Sequence, residues 1–127
     1  MHRSRVHAVR IDTPEAEAAA EFWSAALGAN AEADAADPRL TVLHQALPGL
    51  VTAVQRVEDA PRLHFDIETD DVEAETARLV LLGAAEIARG GDRRVLRAPG
   101  GHLVCVVPLR SDPDAFAAGA NTWIDRY

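Results

Sequence analysis

Two side chains capable of acid–base chemistry stand two residues apart, in the segment Leu63-His64-Phe65-Asp66-Ile67. Polar and apolar residues alternate there, which is typical of a strand with His64 and Asp66 on one face and the apolar residues packed on helices. A carboxylate beside an imidazole can hold one ring tautomer, and an imidazole oriented in this way can act as a general acid or base. We therefore predict His64 and Asp66 as the catalytic candidates. The alternatives are that both only line a binding surface, or that Asp66 pairs with an arginine.

Other histidines and one tryptophan are further candidates for a binding site. His7 shares a strand face with Val9 and Ile11, so it is either a hydrogen-bonded core histidine or a site residue. His44 lies in a second alternating segment and is a candidate on the same grounds. Trp23, at the end of a helical segment, is either a core residue or a wall on which a ligand stacks.

Composition excludes several classes of function. The chain has 127 residues and a formal net charge of −7, whereas nucleic-acid binding needs clustered positive charge. No apolar run approaches the roughly 20 residues that cross a bilayer, and the basic start lacks the apolar core of a signal peptide. The chain has a single cysteine, which fits a reducing compartment. We therefore predict a cytoplasmic protein with no nucleic-acid or membrane partner.

The chain reads as one module used twice. Each half opens with a histidine-bearing strand (His7, His64), continues through an Ala/Glu-rich helix that ends in Leu-Gly, and then gives three strand segments. Both halves therefore read β-α-β-β-β. A weak helical pattern surrounds Phe116, and Trp123, Ile124 and Tyr127 are expected to pack on the body or on a second chain. We predict a single domain over 1–127, with module 1 at about 5–57, a linker at about 58–61, module 2 at about 62–108 and a tail at 109–127.

The helix ends have local signals. Asp12 or Thr13 is predicted to cap the first helix, with Pro14 at the first helical position and Gly28 as the stop. The second helix is predicted to start near residues 70–71, where two aspartates can cap it.

This pattern resembles the vicinal oxygen chelate superfamily, the glyoxalase/bleomycin resistance/dioxygenase group, and in detail its glyoxalase-like domain subgroup. The motifs that carry the resemblance are His7, Phe22-Trp23, Leu27-Gly28, His64, Asp70-Asp71-Val72, Leu82-Gly83-Ala84 and the run from Pro99 to Pro108. The resemblance implies an α+β fold in which two βαβββ modules form a curved, cup-shaped mixed β-sheet with helices packed outside. It also implies a homodimer. The arginine-only, alanine-rich composition indicates a high-GC bacterial source.

In metalloenzymes of the superfamily, four side chains facing the cup hold a divalent ion. The resemblance places those positions on His7, Gln55, His64 and Cys105. Cys105 stands where the metalloenzymes usually carry glutamate, and its valine neighbours favour a neutral, buried thiol. A neutral glutamine and thiol do not offset the charge of a hard dication. We therefore predict no metal cofactor. The alternative is a divalent metal held by these four residues, with zinc accepting an ionised Cys105.

The predicted function is to bind a small organic compound in the cup without a metal, either acting on it or sequestering it. The predicted ligand-binding residues are His7, Val9, Trp23, His44, Gln55, His64, Asp66 and Cys105. If the protein is an enzyme, we expect lyase or isomerase chemistry with His64 and Asp66 as the acid–base candidates. The alternative is a metal-dependent lyase, isomerase or dioxygenase that uses His7 and His64 as ligands.

Overall fold

The computed structural model describes residues 1–124, which form nine strands and three helices. In chain order these are β1 (His2–Thr13), α1 (Ala16–Leu27), β2 (Asn30–Ala33), β3 (Leu40–His44), β4 (Val51–Arg56), β5 (Arg62–Thr69), α2 (Val72–Leu81), β6 (Ala85–Gly90), β7 (Arg93–Arg97), β8 (Leu103–Pro108), α3 (Pro113–Gly119) and β9 (Asn121–Trp123). The order contains two consecutive βαβββ modules, and the strands pair in both parallel and antiparallel directions. The predicted α+β class with a mixed sheet is confirmed.

Residue contacts divide the chain into two compact units, and each is described by itself. Unit I is Ala8–His64, and unit II is Met1–His7 together with the chain from Phe65 onward. Strands β1 and β5 each contribute one part to unit I and the other part to unit II. None of the helices formed by residues 1–124 is long and apolar enough to cross a membrane.

Unit I is a small sheet with α1 packed on it. The part of β1 from Ala8 onward runs parallel to β4, β3 is antiparallel to β4, and β2 is antiparallel to β3. The helix packs through small residues, and the core cluster consists of Ala16, Ala20, Leu43 and Val54. Because alanine side chains are small, they let the helix pack closely on the sheet.

The start of α1 differs from the prediction, whereas its end agrees with it. The predicted stop at Gly28 is confirmed, since Gly28 takes the left-handed conformation (φ 67°) and its successor donates back to the carbonyl of Ser24. The prediction that Asp12 or Thr13 caps the helix, with Pro14 at the first helical position, is wrong. The helix begins at Ala16, no side chain caps it, and Thr13 Oγ1 accepts a hydrogen bond from the Glu15 amide. Asp12 is engaged elsewhere in unit I.

The strands of unit II that follow α2 pair in the same pattern as those of unit I. Strand β5 runs parallel to β8, β7 is antiparallel to β8, and β6 is antiparallel to β7. Asp71 caps α2 by accepting from the Ala74 amide at 3.1 Å, as the sequence predicts. Helix α3 begins at Pro113 and buries Phe116 completely, so the predicted helical segment in the tail is confirmed.

The last described residues form a strand that the sequence pattern did not indicate. In β9, Trp123 lies opposite His2 of β1, and its indole Nε1 donates to Ser4 Oγ at 2.9 Å. The Arg78 guanidinium stacks 3.8 Å from the centre of the Trp123 ring. Trp123 therefore packs on its own chain, whereas Ile124 is 67% exposed. Tyr127 lies outside the described residues.

Candidate ligand-binding site

The polar face of β5 is buried and part of its apolar face is exposed. His64, Asp66 and Glu68 expose only 9%, 7% and 0% of their surface. Leu63 and Phe65, on the other face, expose 57% and 53%. The prediction that these two apolar residues pack on helices is therefore wrong. The burial of three ionisable side chains requires partners for each of them.

In unit I the partner of His64 is Asp12. His64 Nδ1 lies 2.7 Å from Asp12 Oδ2, and Asp12 is only 1% exposed. A carboxylate on Nδ1 stabilises the tautomer that carries its proton there, which leaves Nε2 as the acceptor in the neutral ring. Asp12 thus holds the imidazole in the manner that the sequence analysis assigned to a neighbouring carboxylate. It is the site residue that the sequence analysis missed.

Arg62 completes this cluster but leaves one oxygen unused. Its Nε donates to Asp12 Oδ2 at 3.2 Å, and its Nη1 donates to Asp59 Oδ2 at 3.3 Å. Both contacts to Asp12 therefore fall on the same oxygen. Asp12 Oδ1 is buried and has no hydrogen-bond partner among residues 1–124. An unsatisfied buried acceptor costs about 1–3 kcal/mol, so a donor brought to this atom would recover that free energy.

A cavity of about 350 Å³ lies beside this cluster. It is lined, within unit I, by Ile11, Asp12, Thr13, Ala19, Trp23, Pro61, Arg62 and Leu63. Five of the eight lining residues are apolar, and the carboxylate and guanidinium supply the polar end. This volume is at the lower end of the roughly 300–1,000 Å³ typical of small-molecule sites.

Trp23 forms one wall of the cavity. It projects from the last turn of α1, is 37% exposed, and makes an edge-to-face contact with Phe22 at a centroid distance of 5.0 Å. An exposed aromatic ring held in place by a second ring offers stacking area at little cost in side-chain entropy. Trp23 thus lines the cavity, and its part in stacking on a ligand stays a prediction.

The other predicted residues of unit I, His64 included, are not among those that line this cavity. Val9 lies opposite Thr52 on β4. Gln55 is partly buried, between Asp12 and Leu40 in the sheet. The side chain of His44 is half exposed, and its Nε2 lies 3.0 Å from Glu32 Oε1. Their part in ligand binding stays a prediction.

Unit II holds the remaining predicted residues. His7 is partly buried on β1. Asp66 lies directly opposite Cys105 in the parallel pairing of β5 with β8, and Cys105 is a free thiol that is 6% exposed. A carboxylate and a thiol are donor types that zinc accepts, and β5 and β8 carry one of each at Asp66 and Cys105. Because the predicted metal ligands are divided between the two units, their joint use stays a prediction.

Glu68 shows what a fully satisfied carboxylate looks like in this chain. One oxygen accepts from the amides of Arg110 and Ser111, and the other accepts from Arg5 Nε and from Ser111 Oγ at 2.6 Å. Burial alone would raise the pKa of Glu68, but these hydrogen bonds outweigh it and hold the pKa at about 2. With every lone pair used, Glu68 fastens β5 to β1 and to the segment before α3. It has no capacity left for a ligand, in contrast to Asp12.

Comparison with known proteins agrees with this architecture. A glyoxalase-like domain family matches residues 8–107. No curated protein sequence is significantly similar to the chain.

Solved structures share the fold at low sequence identity. A hypothetical protein from Bacillus halodurans superposes with a TM-score of 0.60 at 13% identity, covering 86% of this chain and 96% of that one. A glyoxalase/bleomycin resistance protein/dioxygenase superfamily member from Vibrio splendidus gives 0.54 at 13% identity, covering 83% and 98%. Methylmalonyl-CoA epimerase from Mycobacterium tuberculosis gives 0.51 at 18% identity, covering 88% and 91%. The chain belongs to the glyoxalase-like domain family, and it shares its fold with a structure from the glyoxalase/bleomycin resistance protein/dioxygenase superfamily.

Proposed function

We propose that this protein binds a small organic compound in the unit I cavity, without a metal. The observation that carries the proposal is Asp12 Oδ1, a buried acceptor without a partner on a residue that lines an otherwise largely apolar cavity. Buried polar atoms in native proteins are nearly always paired, so such an atom beside a cavity indicates a missing donor. Trp23 and Leu63 would cover the apolar body of the compound, while Asp12 and Arg62 would fix its polar end.

We also propose that the protein converts the bound compound chemically. The Asp12–His64 pair supplies an oriented imidazole of the kind used for proton transfer, which supports lyase or isomerase chemistry. The predicted partner Asp66 lies two residues further along β5 and stays a catalytic candidate. The epimerase among the structural relatives shares the fold, and at 18% identity that likeness carries no substrate to this chain.

A direct test follows the emission of Trp23. The chain has two tryptophans, so Trp123→Phe leaves Trp23 as the only reporter. Titration of this variant with benzyl alcohol in the presence of a chelator should give a saturable change in emission. The matched control is Trp23→Phe, whose remaining tryptophan is in unit II and should not respond. An unchanged Trp23 signal across a set of small aromatic compounds would overturn the proposal.

Metal-dependent chemistry is the second candidate, favoured by the donors Asp66 and Cys105 in register on β5 and β8. If a metal is bound there, Asp66 and Cys105 would be two of its ligands, and it would supply Lewis-acid activation. Elemental analysis of untagged, chelator-free protein followed by Zn²⁺ and Ni²⁺ titration decides between the candidates. One tightly held metal per chain, lost in both Asp66→Ala and Cys105→Ala, would replace the metal-free proposal.

The predicted homodimer and cytoplasmic location stay predictions. Light scattering coupled to size-exclusion chromatography tests the first, and fractionation of the source cells tests the second. A monomeric mass at all accessible concentrations would contradict the predicted dimer.

A further inference from the structure

We propose that the compound bound in the unit I cavity is a neutral alcohol or phenol on an aromatic or branched apolar body. This inference rests on the proposed function, because it specifies the chemistry of the ligand in the same cavity. It follows from the hydrogen-bonding capacity of the cluster, from its charge and from the cavity walls.

The hydrogen-bonding capacity of the cluster requires a donor. An ionised carboxylate only accepts hydrogen bonds, and Asp12 Oδ1 has no donor within the described part of the chain. A ketone, ester or carboxylate group on the ligand would place a second acceptor against this oxygen. A hydroxyl has a hydrogen to donate to Oδ1 and lone pairs that can accept from a guanidinium. The cavity lining contains such a guanidinium, that of Arg62.

The charge of the cluster disfavours a cationic ligand. The negative charge of Asp12 is already paired with Arg62, whose Nε lies 3.2 Å from Oδ2, and the same oxygen lies 2.7 Å from His64 Nδ1. An ammonium group in the cavity would face Arg62 at close range in a partly buried site, where like charges repel more strongly than in water. A neutral donor satisfies Oδ1 without this repulsion.

The walls select the body of the ligand. The cavity walls are formed by apolar groups, namely the indole of Trp23, the ring of Pro61 and the branched side chains of Ile11 and Leu63. An aromatic ring gains stacking area on Trp23 beyond simple burial. Because Oδ1 is buried, binding of the hydroxyl requires a lining side chain to move, and Leu63 is a lining residue that is 57% exposed.

The test compares four compounds that share one ring: benzyl alcohol, toluene, benzylamine and benzoate. Saturation-transfer NMR on the full chain ranks their affinities. We expect benzyl alcohol to bind about tenfold more tightly than toluene, the effect of one good hydrogen bond to a charged acceptor. We expect benzylamine and benzoate to bind more weakly than the alcohol. Equal binding of alcohol and toluene, or tightest binding of the amine or the acid, would overturn the ligand class.

The Asp12→Asn variant inverts the chemistry at nearly constant shape. Its amide oxygen takes the bond from His64, which places the amide N–H₂ where Oδ1 was. The affinity of benzaldehyde, a hydrogen-bond acceptor, should then rise relative to that of benzyl alcohol. An unchanged ranking of the two affinities would contradict the assignment. The matched control, Asp59→Asn, alters the other carboxylate on Arg62 and should retain the alcohol preference.

The outcomes separate the two levels of the proposal. If Asp12→Asn does not fold, the wild-type ranking decides the ligand class on its own. If the compounds bind but the alcohol is not preferred, this inference fails while the binding function stands. If none of these compounds binds, both fail.

Discussion

Acid should destabilise this protein through Glu68 in a pH range that can be assigned in advance. The carboxylate is fully buried and accepts four hydrogen bonds, and its pKa falls from 4.5 to about 2. A carboxyl whose folded-state pKa is depressed contributes stability that is complete above its unfolded pKa and is lost as the pH falls through the folded pKa. The contribution is therefore intact at pH 7, declines below about pH 4.5 and is gone below about pH 2. The difference in pKa corresponds to about 3 kcal/mol in the free energy of unfolding.

The Glu68→Gln variant tests this assignment. Glutamine keeps the shape but turns one acceptor oxygen into a donor that faces the donors of Arg5 and Ser111 or the amides of Arg110 and Ser111. We expect a loss of about 3 kcal/mol at pH 7, which is a fall of roughly 10 °C in the melting temperature. Urea denaturation followed by circular dichroism, repeated from pH 7 to pH 2.5, measures both the loss and its pH dependence.

The control for this experiment is Glu17→Gln, at a side chain that is 97% exposed. This variant should keep the free energy of unfolding within about 0.5 kcal/mol of the wild type. Between pH 4.5 and 2.5 the Glu68 variant should lose less stability than the wild type, and the lowered pKa values of Asp70 and Glu75 account for the decline that remains. If wild type and variant decline in parallel over that range, the low pKa is not the cause and the reasoning fails.

Three further substitutions probe the elements that position the site. Asp71→Ala removes the cap of α2 and should lower the free energy of unfolding, measured by urea denaturation, by about 1 kcal/mol. Asp71→Asn should retain most of the stabilisation that the cap provides. Gly28→Ala forces a side chain into a left-handed position and should cost about 1 kcal/mol although nothing lies near the added Cβ; a neutral result would contradict the strain argument. Trp23→Ala should weaken benzyl alcohol binding about tenfold while changing the melting temperature little, since the ring is partly exposed; a large loss of stability would assign it to the core instead.

Much of the fold was predictable because its signals are local. Gly28 and Asp71 mark helix ends, and the repeated strand–helix order indicates two βαβββ modules, which the structure contains. Strand β9 was missed because three residues carry no detectable period. It is held by contacts that are distant in sequence, because the Trp123 indole donates to Ser4 and stacks with the Arg78 guanidinium.

The site was less predictable because its key contact is not local. Asp12 stands just before a helix, so local chemistry suggests a cap, but it pairs with His64, 52 residues away. Nothing in the spacing distinguishes these two uses of an aspartate. A second error came from alternation, which separates the two faces of β5 but does not say which is covered. Burial of the polar face of β5 is compensated at His64 and Glu68 by the charged partners Asp12 and Arg5.

The most direct test of the binding account maps where benzyl alcohol contacts the ¹⁵N-labelled chain in the presence of EDTA. If the compound binds in the cavity, the Trp23 indole resonance and the backbone amides around Asp12 and Leu63 shift saturably, while the Trp123 indole stays unmoved. No shifts in EDTA, or shifts that appear only after Zn²⁺ is added and centre on Cys105, would contradict the binding account.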